Sequence, residues 1–166
     1  IKLTAPGVAD VYQGAELWAY TLVDPDNRAP VDYHLRRALL GQLDECSPEQ
    51  IWARAPEGLP KLWVIRQTLA LRKQHPQWFT ADGGYHPLLP SDGENVVAYQ
   101  RGGAICIVPR LSLHAKAMAD VSLKIPAGKW KNELTGEMIQ GGDVRFGAVL
   151  ARFPVALLSK VGPVSS

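Results

Sequence analysis

The sequence predicts an α+β protein in which helices and long loops come first and an antiparallel β-sandwich follows. Three observations predict it. Apolar residues recur every third or fourth position in stretches up to about residue 74, the period changes to two from Asn95 onward, and glycine and proline cluster between the alternating segments. The 15 glycines and 13 prolines among 166 residues exceed average usage, roughly 17% against roughly 12%, and turns between short elements account for such a surplus.

Taken in order, Val8-Ala9-Asp10-Val11-Tyr12 is a short β-prone run, preceded by Pro6-Gly7 and stopped by Gly14. From Trp18 to Pro30 the chain is polar and turn-rich, a long loop of the kind that usually carries function. Asp32 caps a helix over 33–43 with Leu35, Leu39 and Leu43 as its apolar stripe, and Ser47-Pro48-Glu49-Gln50 forms a capping box that starts a short helix through Trp52. Pro60 opens a helix over 60–74 whose core face is Leu62, Ile65 and Leu69, with Trp63 and Leu71 beside it and Lys61, Arg66, Arg72 and Lys73 facing water. His75-Pro76 ends it.

Beyond the turn-rich stretch 80–94, residues 95–101 alternate, and Gly102-Gly103 supplies a positive-φ pair for a tight hairpin into Ala104–Val108. Further strands are expected at 120–125, 129–132, 144–150 and 155–159. The domain division follows as 1–80, a linker at 81–94, and a sandwich domain at 95–166.

Composition excludes several classes. With 46% hydrophobic and 20% charged residues the chain is neither disordered nor a coiled coil. A net charge of +2 with no basic block longer than Arg36-Arg37 speaks against nucleic acid as a partner. No apolar run approaches the roughly 18 residues of a membrane span, which speaks against a membrane partner. A closed (β/α)₈ barrel needs about 250 residues, more than this chain supplies. Cys46 and Cys106 both sit among apolar residues and read as buried free thiols, which points to a reducing compartment and a cytoplasmic location.

Chemistry-bearing residues are few. His34, His75, His86 and His114 share no ligand spacing with each other or with either cysteine, so no metal is expected. No GxSxG, P-loop or GxGxxG occurs, and no cofactor is expected. Asp10, Glu16, Asp24 and Asp26 all fall in one short segment, whereas a glycosidase pair flanks its bond from different elements, so none is assigned as catalytic. Asp10 inside the β-prone run reads as a structural hydrogen-bonding group, and Glu16 as an anchor for the loop that follows. Asp24-Pro25-Asp26-Asn27-Arg28 is the densest polar constellation; its planar donors and acceptors suit vicinal sugar hydroxyls, and equally suit a self-capped solvated turn. Trp18 in the same loop is the tryptophan kept for stacking on a ligand, while Trp52 and Trp63 are expected in the core.

Pro6-Gly7-Val8-Ala9-Asp10-Val11-Tyr12-Gln13-Gly14-Ala15-Glu16 resembles the PGxPxxYxGxE signature of the eighth barrel strand in the α-amylase family of glycoside hydrolases, with Ala9 in place of the usual proline. Leu22 to Tyr33, Gly58 to Trp63 and Ala151 to Leu158 narrow the resemblance to that family's intramolecular glucosylmutases, with Ala19 and Ala29 as departures from an aspartate and an arginine. The resemblance implies the C-terminal piece of such an enzyme: the last strand and helices of a (β/α)₈ barrel, followed by the sandwich. It implies that the three catalytic carboxylates lie elsewhere and that this piece alone is inactive. The implied substrate is a maltooligosaccharide, with Asp24, Asn27, Arg28 and Trp18 as substrate-binding residues. A barrel strand without its neighbours leaves an open edge at 8–12, which is expected to exchange fast with solvent unless the chain self-associates through it. An α-glucan-binding module and a purely structural domain are the competing readings.

Overall fold

The computed structural model describes residues 1–91, 95–110 and 120–162. Two compact units emerge: Val8–Arg66, and Ile1–Gly7 together with Gln67–Ser166. His114 and residues 92–94 of the expected linker lie outside the described residues.

In the first unit α1 (Tyr33–Gln42) begins where the sequence places it, because the Asp32 side chain accepts the Leu35 amide at 2.9 Å. Leu39 and Leu43 are buried, but Leu35, the first member of the expected stripe, is 48% exposed. α2 (Pro48–Ala53) starts on the full capping box, with Ser47 and Gln50 exchanging side-chain and backbone hydrogen bonds. It buries Ile51 and leaves Trp52 half exposed, so Trp52 is not the core residue its helical position suggests. α3 (Leu59–Gln74) turns Leu59, Leu62, Thr68 and Leu71 inward, and Leu69 is 49% exposed. Trp63 is only partly buried, with the Arg66 guanidinium 5.9 Å from its ring centre. Arg66, expected in water, donates to Asp44 at 2.6 Å.

The run 8–12 is not a strand. Val8 is 99% exposed and Tyr12 53%. A parallel barrel strand exists only when both edges are paired, and the described chain offers this segment no neighbouring strand. Asp10 is exposed there instead of held in a strand.

The second unit carries one antiparallel sheet, not the two stacked sheets of a sandwich. Its strands are β1 (His86–Pro87), β2 (Val96–Arg101), β3 (Ala104–Pro109), β4 (Ser122–Asn132), β5 (Met138–Arg145) and β6 (Ala156–Val161), in the order β1-β2-β3-β6-β4-β5. The sheet curls, and the segment that follows β1 reaches across to β4. Residues 86–91 pair with β2 through His86 and Pro87, then bridge Pro90 to Leu123 of β4, and the Ser91 amide donates to the Ser122 carbonyl at 2.9 Å. The expected strands at 120–125 and 129–132 are one long β4, because Pro126-Ala127-Gly128 makes a bulge in place of a turn and lets the strand bend. Its second half pairs with both β5 and β6. The expected strand at 144–150 becomes the end of β5 and a single helical turn, α4 (Phe146–Val149), which places Phe146 and Val149 in the core.

Inside the curl lie Val96, Ala98, Ile105, Ile107, Leu123, Ile125, Trp130, Ala156 and Leu158, with Trp130 and Leu158 fully buried. β3 is buried on both faces. Its other side is covered by residues 1–5 and the 76–84 turns: Tyr99 pairs its hydroxyl with Thr4 at 2.7 Å, and Arg101 donates to the carbonyls of Thr4, Ala5, Thr80 and Gly84. Arg72, expected on the water face of α3, reaches Leu3 O at 2.8 Å.

The β2–β3 hairpin turns at Gly102-Gly103, but only Gly102 has a positive φ, +51°. Gly103 is required by space. A Cβ there would lie 2.4 Å from the Trp78 ring, which also stacks on His75. Gly103→Ala is therefore predicted to cost about 1–3 kcal/mol by overpacking, read as a lower urea midpoint at unchanged slope. Burial pushes the Tyr99 phenol well above the usual tyrosine range, with the Cys106 thiol adding to it. Since the folded state holds this proton more tightly than the unfolded chain, stability should be intact below about pH 10 and fall as pH rises further, and urea melts at pH 9 and 11 check the sign.

Candidate functional site

The segment that carries the four candidate residues is a loop with joined ends. Gly14 has φ +85°, and a Cβ there would lie 3.0 Å from a Val31 methyl, so the residues at the two ends of 15–30 are in contact range. Arg36, on α1, ties both ends: it donates to Gly14 O at 2.5 Å, to Asp32 O at 3.0 Å and to Glu16 Oε2 at 3.3 Å. Glu16 thus anchors the loop, as its position predicts. A second set of bonds holds the loop's beginning. Leu17 is buried, its carbonyl accepts the Lys61 ammonium at 2.9 Å, and the Trp18 indole donates to Ala55 O at 2.6 Å. Gly58 has φ +82°, and a Cβ there would lie 3.1 Å from the Trp18 amide nitrogen, tighter than an ordinary contact.

Within the loop, Asp26–Arg28 form a single 3-10 turn. Asp26 accepts the Leu22 amide at 2.7 Å, which closes the turn on itself. Arg28 grips Asp24 through two guanidinium nitrogens, one contact being 2.8 Å, in the planar fork geometry of arginine and carboxylate. Both remain in water, Arg28 71% and Asp24 57% exposed as side chains. Asn27 behaves differently. Its Oδ1 is enclosed and has no hydrogen-bond partner.

The structure therefore brings Asp24 and Arg28 together, puts Asn27 in the same turn, and commits Trp18 to Ala55 and Lys61, whose ammonium lies 5.4 Å from the Trp18 ring centre. The residues that sequence reasoning missed are Arg36, which it gives no role, and Lys61, which it turns to water. Only the closeness of Gly14 and Glu16 to a basic helix hinted at the first. Beside the loop base, the Arg54 guanidinium holds the Glu57 carboxyl below the usual range through a paired hydrogen bond, and Arg54 also donates to Gln42 at 2.8 Å. Among the described residues no group of three or more His, Cys, Asp or Glu is gathered as a metal site, and no helix is long and apolar enough to cross a membrane.

Comparison with known proteins gives the same part of the chain a context. A Mycobacterium tuberculosis protein (strain ATCC 25618 / H37Rv) that bears the name maltooligosyl trehalose synthase is 39% identical over 163 residues, covering 95% of this chain and 19% of its own length. The solved maltooligosyltrehalose synthase of Arthrobacter ramosus superposes with a TM-score of 0.81 at 37% identity, covering 96% of this chain and 21% of that one. By sequence and fold the chain matches a fifth of a maltooligosyl trehalose synthase. A further solved maltooligosyl trehalose synthase superposes at 0.70 with 26% identity over 94% of this chain and 20% of its own. No family model matches. The match to these synthases takes in the loop, the helices and the curled sheet alike, so the fold of this segment is that of the synthases it resembles.

Because the Arg28–Asp24 pair is exposed, it contributes at most about 0.2–1 kcal/mol to folding. Arg28→Ala should accordingly leave the urea midpoint almost unchanged. A loss above about 2 kcal/mol would make Arg28 a structural residue of the turn.

Proposed function

We propose that the chain is the C-terminal part of a maltooligosyl trehalose synthase of the α-amylase glycoside hydrolase family, and that its loop at 15–30 contributes substrate contacts to the whole enzyme. The supporting observation is the exposed Arg28–Asp24 pair, held on a loop that Arg36 and Lys61 fix at its base, within a segment 39% identical to a named synthase. Bonds that cost so little to open leave a guanidinium fork and a carboxylate available to vicinal hydroxyls.

In the proposed reaction the whole enzyme, an isomerase, moves the reducing-end glucose of a maltooligosaccharide from an α-1,4 to an α,α-1,1 linkage. A carboxylate outside this chain attacks the anomeric carbon on the non-reducing side of the bond, a carboxylic acid protonates the departing O4, and a glycosyl-enzyme ester forms with inversion, the first half of a double displacement that retains configuration overall. The released glucose stays in the site, turns over, and attacks through its own anomeric hydroxyl, returning its proton to the carboxylate. Water must be excluded during that turn or hydrolysis competes. Asp24 and Arg28 hold the glucose unit next to the cleaved bond, with Asn27 shaping their turn and Trp18 fixing the loop's start, so their contribution is orientation. The enzyme is cytoplasmic in this reading, and the exposed run at 8–12 becomes its last barrel strand once the remaining strands lie beside it.

The alternative is a non-catalytic α-glucan-binding or structural module. Two measurements test the reading, and the second separates it from the alternative. The isolated chain should form no trehalose-ended product from maltooligosaccharide, since it lacks the positioned carboxylates of acid/base and nucleophilic steps. In a full-length synthase carrying this segment, Arg28→Ala should lower kcat/KM by about 1.5–3 kcal/mol, the range for a hydrogen bond to a charged group, and Arg28→Lys should recover little. An unchanged kcat/KM in Arg28→Ala would assign the turn to structure alone.

A further inference from the structure

We infer that Arg36 is a positioning residue: without touching substrate, it fixes the loop 15–30 in one conformation by bonding both of its ends from α1. The inference deepens the proposed function and rests on it only where sugar is concerned. Three bonds converge on one side chain, to Gly14 O, Glu16 Oε2 and Asp32 O, and they join the chain entering the loop to the chain leaving it. The side chain is largely buried, 18% exposed. Such a guanidinium is not a solubilising group but a fork whose donors each have a chosen acceptor.

Beyond Leu17 and Trp18, which Lys61 and Ala55 hold, the loop has few anchors other than Arg36. Val23, Leu22 and Tyr20 are about four-fifths exposed or more, so no apolar anchor holds its tip. The tip's order comes from the 3-10 turn and the Leu22–Asp26 bond, both of which are local and would move with the loop as a body. At the far end Val31 meets Gly14, and a residue larger than glycine there would press on both Val31 and the Arg36 guanidinium, 3.4 Å away. Arg36 therefore acts as a short cross-link that cuts the loop's closure entropy, and the orientation of Asp24 and Arg28 relative to α1 follows from it. Lysine cannot substitute, because a single ammonium does not reach two carbonyls and a carboxylate in different directions.

The test is ¹⁵N relaxation on the 166-residue chain and on Arg36→Gln and Arg36→Lys, both good helix formers that keep α1 viable. In the unaltered chain the amides of 22–28 should show order parameters of roughly 0.8; in both variants they should fall below about 0.6 while the amides of 37–42 stay near 0.85. Unchanged order parameters at 22–28 would overturn the proposal. So would loss of the α1 signals, which would make Arg36 a residue of helix stability. Glu16→Gln, which removes only the charge pair, should give an intermediate drop. A maltotetraose titration followed at the same amides supplies the second arm: if the unaltered chain binds, Arg36→Gln should weaken binding at least about tenfold, and equal binding would overturn the positioning role. Absence of any shift in the unaltered chain would count against the sugar-binding reading, and the relaxation arm would still decide the cross-link.

Discussion

A buried guanidinium organises the sheet unit. Arg101, 5% exposed at the end of β2, is satisfied by peptide carbonyls from three separate stretches of chain: Thr4 and Ala5, Thr80, and Gly84. A charge taken out of water costs several kcal/mol unless its donors are met, so these stretches can sit only where their carbonyls face β2. Once they do, Tyr99 meets Thr4, Trp78 covers the hairpin glycines, and β3 is enclosed on both sides. The same side chain thus explains why residues 1–7 group with a sheet some ninety positions away.

The unit at 8–66 has a different economy. Its cross-links, Arg36 to the loop ends, Lys61 to Leu17 and Arg66 to Asp44, are polar and lie at its base. Its apolar residues are poorly used: Val8, Tyr12, Tyr20, Leu22, Val23 and Tyr33 are all at least about half exposed. Exposed apolar residues of this number in one segment mark an interaction surface, and the chain spans about a fifth of the length of the relatives it matches.

What the sequence made legible was local. Asp32 and Ser47 act through neighbours three residues away, and the hairpin needs only alternation around two glycines, so α1, α2 and β2–β3 could be read directly. The Asp24–Arg28 turn was legible for the same reason, since each bond spans four residues. What escaped was long-range. Nothing in the string 86–91 says that it will close a sheet on β4, and a proline-glycine bulge has the same letters as a turn. The carbonyls of Gly14, Leu17, Gly84 and Thr4 that Arg36, Lys61 and Arg101 serve lie 17 to 97 residues off, beyond what neighbouring letters can signal. Trp52, Leu35 and Leu69 showed the opposite error: helical spacing marks an apolar position but not whether the chain at hand supplies its cover.

We propose that the run at 8–12 becomes a strand only where further strands lie beside it, whereas the curled sheet of the described residues carries its own pairing. Native-state hydrogen exchange on the monomeric chain tests it most directly. The β2, β3 and β6 amides, which share ladders on both sides of β3, should exchange slowly, and the amides across 8–12 at near-unprotected rates. Protection at 8–12 comparable to that of β3, in a sample shown to be monomeric, would contradict it.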